Sequence, residues 1–279
     1  MHNSITGVPI YRFEPADCDR IDSLRDGRLY IADPANFNDP LDLRIEIKDL
    51  TNRAGFSENG LREAVSKLFH SVKVDQAHRL FNEELLQQIT RWSRGDTLVS
   101  LNDIVNCLEH HIANFGVQCF SSNFEIPLSW SHYASGHQGF CIEYDLRKMT
   151  LAGGNDLAMY DVTYTNELPE VCVSEVLFTP HQAISRLLAT KTIDWAYEQE
   201  FRLVNFENKG CKVDMPAGLR INSLIAGANI SRPHRDLLCS VGKQLGVCVY
   251  QMARNDRPKQ GQLWNKELVY TPAKEMVGD

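Results

Sequence analysis

The segment Trp195-Ala196-Tyr197-Glu198-Gln199-Glu200-Phe201-Arg202 is the densest concentration of reactive side chains in the chain. Read as extended backbone, it places Glu198, Glu200 and Arg202 on one face and Tyr197, Phe201 and Leu203 on the other, because side chains alternate along a strand. Two carboxylates that close repel each other unless a cation, a sugar hydroxyl or a proton relieves them, which makes this wall a candidate site. The plainer reading is an exposed strand face whose Glu–Arg pair contributes less than about 1 kcal/mol. The sequence leaves both open.

A second group follows Cys119-Phe120-Ser121-Ser122. Trp130-Ser131-His132-Tyr133 and Gly136-His137 add two imidazoles, a phenol, an indole and hydroxyls, enough for a proton carrier, a stacking surface and hydrogen-bond donors. The competing reading of His132 is a buried imidazole bonded to a backbone carbonyl. His132 and His137 are five apart, wrong for one helix face, and no cysteine or carboxylate stands at ligand spacing, so no metal is expected. A third group is Phe37-Asn38-Asp39-Pro40. Asn and Asp turn the chain locally and the proline enforces an extended shape, while as a rim loop the same residues present an amide and a carboxylate to a ligand.

These groups need elements to hold them. Val8 to Phe13 reads as a strand, Asp17 to Asp26 as a helix stopped at Gly27, and Leu29 to Ala32 as a second strand. Leu41, Leu43, Ile45 and Ile47 alternate with charged residues, the pattern of a half-buried strand. From 57 to 115 the period becomes helical, with stripes at Leu61, Ala64, Val65, Leu68 and Val72, at Phe81, Leu85, Ile89 and Trp92, and at Leu101, Ile104, Val105, Leu108, Ile112 and Phe115. Ser100 and Asp103 form a capping-box pattern before the third. The adjacent pair His110-His111 on that helix reads as surface or lobe packing. Strands are expected at Gly116 to Ser121, Gly139 to Asp145, Ala158 to Tyr164, Phe201 to Phe206, Leu219 to Ala226 and Val247 to Met252. Helices are expected at Pro180 to Lys191 and from a Ser231 cap to about Leu245, with a helical turn at Leu128 to Ala134. The fold class is therefore α+β: a central mixed, mainly antiparallel sheet in one domain over residues 1–279, with 57–115 as an inserted helical lobe.

With 279 residues, 43% hydrophobic and 23% charged, the chain has the composition of a globular protein with a substantial core, not of a disordered or repetitive one. Its net charge of −7 and scattered basic residues give no extended nucleic-acid surface. The eight cysteines include no C-x-x-C pair, and neither a secretory leader nor an apolar run of about 18 residues is present, so reduced thiols, no membrane segment and a cytoplasmic location are expected.

In order along the chain, F-N-D-P after an early strand, C-F-S, W-S-H-Y-A-x-G-H-x-G-F-C-I-E-Y-D, W-x-x-E-x-E-F-R and I-x-x-L-I-x-G resemble the prokaryotic domain of unknown function 2971 family. The resemblance spans Tyr11 to about Gly227. It carries no activity, but it implies site positions at Asn38, Asp39, Trp130, His132, Tyr133, Glu143, Glu198, Glu200 and Arg202. A looser similarity is to mono-ADP-ribosyltransferases, in the order of a strand bearing an arginine, a strand ending aromatic-Ser-Ser and a strand with Glu-x-Glu. It implies a split sheet and NAD as substrate. It further implies that Arg12 holds the dinucleotide, that Ser121 is the central-strand serine, and that Glu200, with Glu198 before it, stabilises an oxocarbenium-like cation. Tyr133 or Trp130 would stack on nicotinamide. The acceptor is not specified, and Arg12 and Ser121 are 109 positions apart, a gap that must hold the helical lobe. Two alternatives stand beside it: a metal-assisted phosphoesterase or nuclease using Asp39, Glu143, Glu198 and Glu200, and a non-catalytic nucleotide sensor.

Overall fold

The computed structural model describes residues 9–44, 46–48, 57–71, 81–146, 157–255 and 264–272. Its strands are β1 (Pro9–Glu14), β2 (Arg28–Ile31), β3 (Ile47–Lys48), β4 (Gly116–Ser121), β5 (Phe140–Asp145), β6 (Leu157–Asp161), β7 (Thr163–Thr165), β8 (Val171–Cys172), β9 (Thr190–Thr192), β10 (Glu200–Asn205), β11 (Cys211–Asp214), β12 (Arg220–Ala226), β13 (Cys248–Arg254) and β14 (Trp264–Tyr270). Its α-helices are α1 (Cys18–Asp22), α2 (Glu58–Ser71), α3 (Glu83–Ser93), α4 (Leu101–Ile112), α5 (Pro127–Tyr133), α6 (Val173–Phe178), α7 (Pro180–Leu188) and α8 (Arg232–Leu245).

Among the described residues, eight strands form one sheet in the order β14-β13-β12-β5-β1-β4-β10-β6. Every neighbouring pair is antiparallel except β12 and β13. That parallel pair needs a crossover, and α8 supplies it, capped by Ser231 at its start and by Gly246 in the left-handed region at its end. The fold is thus α+β with a mixed, mainly antiparallel sheet, as the periodicity predicts.

Each face of the sheet has its own core. On one, Ile10, Phe120, Phe140, Ile142, Tyr144 and Leu203 pack with Ile21 of α1 and Leu238 and Val241 of α8. On the other, Val117 and Val204 meet the helices α2, α3, α4, α6 and α7, while Trp130 of α5 joins Tyr11, Cys141 and Ile225. The three helical stripes are present: Leu61 and Val65, then Leu85, Ile89 and Trp92, then Leu101, Ile104, Leu108 and Ile112 are all buried. Val72 and Ile45 lie outside the described residues, as does Val8. The Ser100–Asp103 capping box is closed in both directions.

Several expected elements differ. Leu41 to Ile47 is not one strand: Asp39 accepts the Leu41 N–H at 2.9 Å and its carbonyl accepts that of Asp42, so the chain curls at 41–43 and Leu43 takes φ +52° before the short β3. The helix expected through Lys191 stops at Leu188, because the β-branched Thr190 and Thr192 pair in β9 with β7. The strand expected over Ala158 to Tyr164 divides into β6 and β7, and β14 extends the sheet beyond the last expected strand.

Candidate functional site

Register across the sheet aligns Ser223, Glu143, Tyr11, Ser121 and Glu200 on one face, one residue from each of β12, β5, β1, β4 and β10. Polar groups in the middle of a covered face require partners, and this row ends in an ionic cluster on either side.

The larger cluster surrounds the β10 end. Glu198 is not extended, as the alternation predicts, but closes a 3-10 turn spanning Ile193–Glu198; Gln199 follows at φ +49° and Glu200 opens β10. That left-handed residue folds Glu198 back beside Glu200 and is a locally strained, non-glycine position. Arg202 is fully buried. Its Nε donates to Glu200 Oε1 at 2.8 Å, Nη1 to the Leu188 carbonyl at 2.8 Å, and Nη2 to both Asp42 oxygens at 2.8 Å. Lys191 Nζ donates to Glu198 Oε2 at 2.6 Å and Glu200 Oε2 at 3.3 Å, lies 3.4 Å from Asp42, and sits 4.7 Å over the Trp195 ring. Glu198 Oε1 accepts from the Tyr133 hydroxyl at 2.6 Å, and Asn38 lies near enough to Tyr133 to favour the ionised phenol. Ser121 Oγ donates to the Glu198 carbonyl at 2.6 Å, so the serine braces the acidic turn. The Glu200 N–H donates to Tyr164 Oη at 2.8 Å.

Three carboxylates and two cations therefore share one buried space, and their electrostatics diverge. Burial pushes the Glu198 carboxyl above its ordinary value, against Lys191 and Tyr133. Burial also pushes Glu200 upward, but Arg202 and Lys191 outweigh it and hold Glu200 below its ordinary value. Burial disfavours the Lys191 ammonium, yet Glu200, Asp42 and Glu198 raise its pKa well above that of a free lysine. Burial and then Glu198 raise the Tyr133 phenol. Two carboxyls two residues apart thus have opposite proton affinities, an arrangement that separates a proton-exchanging group from a fixed charge.

The second cluster holds Glu143, which accepts from Asn222 and Ser223 at 2.7 Å and Lys266 at 2.6 Å. Glu143 and Glu200 are three strand spacings apart, roughly 14 Å. Asp39 is spent on its local turn and lines an open groove of about 510 Å³ between the 34–44 loop and α4. The four carboxylates of the phosphoesterase alternative therefore do not converge.

The three expected motifs do meet, through Asn38, Tyr133 and Glu198. Other expected site residues fall elsewhere. Arg12 lies on the opposite face of the sheet, as alternation from Tyr11 dictates, and pairs with Glu14 and Tyr144. Trp130 is fully buried, donates to the Phe124 carbonyl at 2.6 Å and packs edge-on against Phe13, so it is core and not a stacking platform. His132 is exposed and touches the rings of Tyr133, Trp195 and Tyr197. Sequence reasoning missed Asp42 and Lys191, one assigned to a strand and the other to a helix, and it turned Tyr197 away from the glutamates.

No curated protein and no solved structure matches the chain. Residues 129–203 match the family described as Protein of unknown function (DUF2971). That segment carries His132, Tyr133, Lys191, Glu198, Glu200 and Arg202, so the match covers the core of this site.

Proposed function

We propose that the protein cleaves the bond between nicotinamide and ribose in NAD or a closely related dinucleotide, as an ADP-ribosyltransferase or glycohydrolase. The observation that carries the reading is the pairing of the serine strand β4 with the glutamate strand β10, which sets Ser121 opposite Glu200 and its Oγ on the Glu198 carbonyl. In this chemistry the C1′–N bond breaks and nicotinamide leaves with the electron pair. The cation left on the ribose is stabilised by a fixed carboxylate, and an acceptor hydroxyl, amine or water adds to C1′. Glu200, pinned by Arg202 and Lys191, supplies the fixed field. Glu198, with the higher proton affinity and a hydroxyl neighbour, takes the acceptor's proton. Arg12 has no part in this scheme, because it faces the other side of the sheet; that distinguishes the assignment from the transferase pattern. Calorimetry of the purified chain against NAD, with nicotinamide release followed in parallel, tests it. Release that disappears in Glu198→Gln is expected. Binding without release points instead to a nucleotide sensor, and no heat at millimolar NAD overturns the reading.

A further inference from the structure

We propose that Tyr133 is a side-chain gate over Glu198, latched by its own hydroxyl, and that the ligand that opens it carries a hydroxyl or amine to take the phenol's place on the carboxylate. The inference goes beyond the reading above and does not depend on a dinucleotide. Glu198 is 5% exposed, and both its oxygens are engaged, Oε1 by the Tyr133 hydroxyl and Oε2 by the Lys191 ammonium, each at 2.6 Å. A ligand therefore reaches the carboxylate by displacing one of the two. They are not equivalent. Lys191 is itself buried and is held on its far side by Glu200 at 3.3 Å and Asp42 at 3.4 Å, whereas Tyr133 is only half-buried and stands on the solvent side. Displacing the lysine would strand three buried carboxylates beside one guanidinium, a cost that swinging a phenol into water does not carry.

The backbone fixes what can move. Trp130, three residues before Tyr133, and Ala134, just after it, are fully buried, and the Trp130 carbonyl accepts the N–H groups of both Ala134 and His137 at 3.2 Å. Ser135, Gly136 and His137 then take three successive left-handed conformations, with φ of +49°, +64° and +67°, in a turn closed by the Gly139 N–H on the Ala134 carbonyl at 2.7 Å. A Cβ at Gly139 would fall 2.8 Å from the Ala134 Cα, so this turn is packed without slack. The helix α5 is thus held at its end and does not lift as a lid; opening is rotation of the Tyr133 side chain between staggered wells. Its ring meets that of His132 at 6.1 Å and a tilt of 60°, not in a flat stack, which leaves the hydroxyl bond to Glu198 as the latch. A hydroxyl or amine on a bound ligand restores on Oε1 the bond that the phenol gives up, so the carboxylate is uncovered at least cost when such a group is present.

The test labels the carboxyls of the purified full chain with a water-soluble carbodiimide and glycinamide and follows Glu198 by peptide mass mapping. Rates are compared on the acid plateau of each pH profile, where Glu198 is protonated in every protein and a changed proton affinity does not enter. Tyr133→Phe keeps the ring and removes the latch, and it should label Glu198 about tenfold faster than the unaltered chain, the factor that one lost hydrogen bond carries. Tyr133→Ala should be at least as fast. Trp195→Ala, which uncovers the lysine side, should label at the unaltered rate, and Glu143, in the second cluster, should keep its rate throughout. If Tyr133→Phe labels as slowly as the unaltered chain, the phenol is a fixed cover and the latch is overturned. If Trp195→Ala opens the carboxyl as well as Tyr133→Ala does, or if Glu143 accelerates in step, the gate is overturned. Nicotinamide release plays no part in these rates, so failure of the cleavage reading leaves the gate standing, and failure of the gate leaves that reading to its own test.

Discussion

Glu198 and Glu200 are separated by one residue and make opposite predictions. Glu200 neutralises a fully buried guanidinium, and replacing it by Gln leaves Arg202, among the described residues, with Asp42 as its carboxylate while Lys191 loses a partner. Breaking a buried ion pair by removing one member costs about 3–5 kcal/mol, so Glu200→Gln should lower stability by that order in urea unfolding. Glu198→Gln instead leaves two carboxylates facing two cations, and it should change stability by less than about 1 kcal/mol while abolishing any turnover. If the two variants unfold alike, the division between fixed charge and proton acceptor is wrong. The extended reading of Trp195 to Arg202 grouped Glu200 correctly with Arg202, because both belong to β10. It could not foresee Gln199 in a left-handed turn, since a glutamine carries no signal for positive φ.

At the scale of elements, helices were more legible than the loops that complete the site. The three stripes between 57 and 115 and the Ser100 cap follow from spacing and local chemistry, and the buried residues of α3 and α4 are those the period selects. Lys191 and Asp42 were hidden because each depends on a partner distant in sequence: β9 exists through pairing with β7, and the 39–43 turn is held by Arg202, 160 residues away. Alternation mistook that turn for a strand. If Asp42 anchors the loop, Asp42→Asn should weaken it without dissolving the sheet. Amide exchange should quicken at 39–44, while protection at Val117 and Val204, beneath the helices, stays unchanged. Uniform loss of protection would show that the anchor belongs to the core.

For the whole molecule, the ionic row divides stability by pH. Glu200 and Glu143 are held below their ordinary values by Arg202 and Lys191 and by Lys266 and Ser223, in each case against burial. Their contribution is complete above the ordinary carboxylate range and is lost as pH falls through their depressed folded values. Glu198 has the opposite sign: its folded value is raised, so the folded state holds the proton more firmly, and the cost of ionising it appears as pH rises through the window above the ordinary glutamate value. Stability should therefore climb steeply from strongly acid pH, then turn down gently as pH rises above the ordinary glutamate value, levelling once Glu198 ionises in the folded state. In Glu198→Gln the first limb should remain and the downturn should shrink to the part that Asp161, also raised by burial, contributes, which urea titrations at intervals between pH 3 and 8 would resolve. A downturn undiminished in this variant would place the titrating group outside the Tyr133–Glu198–Lys191 contact.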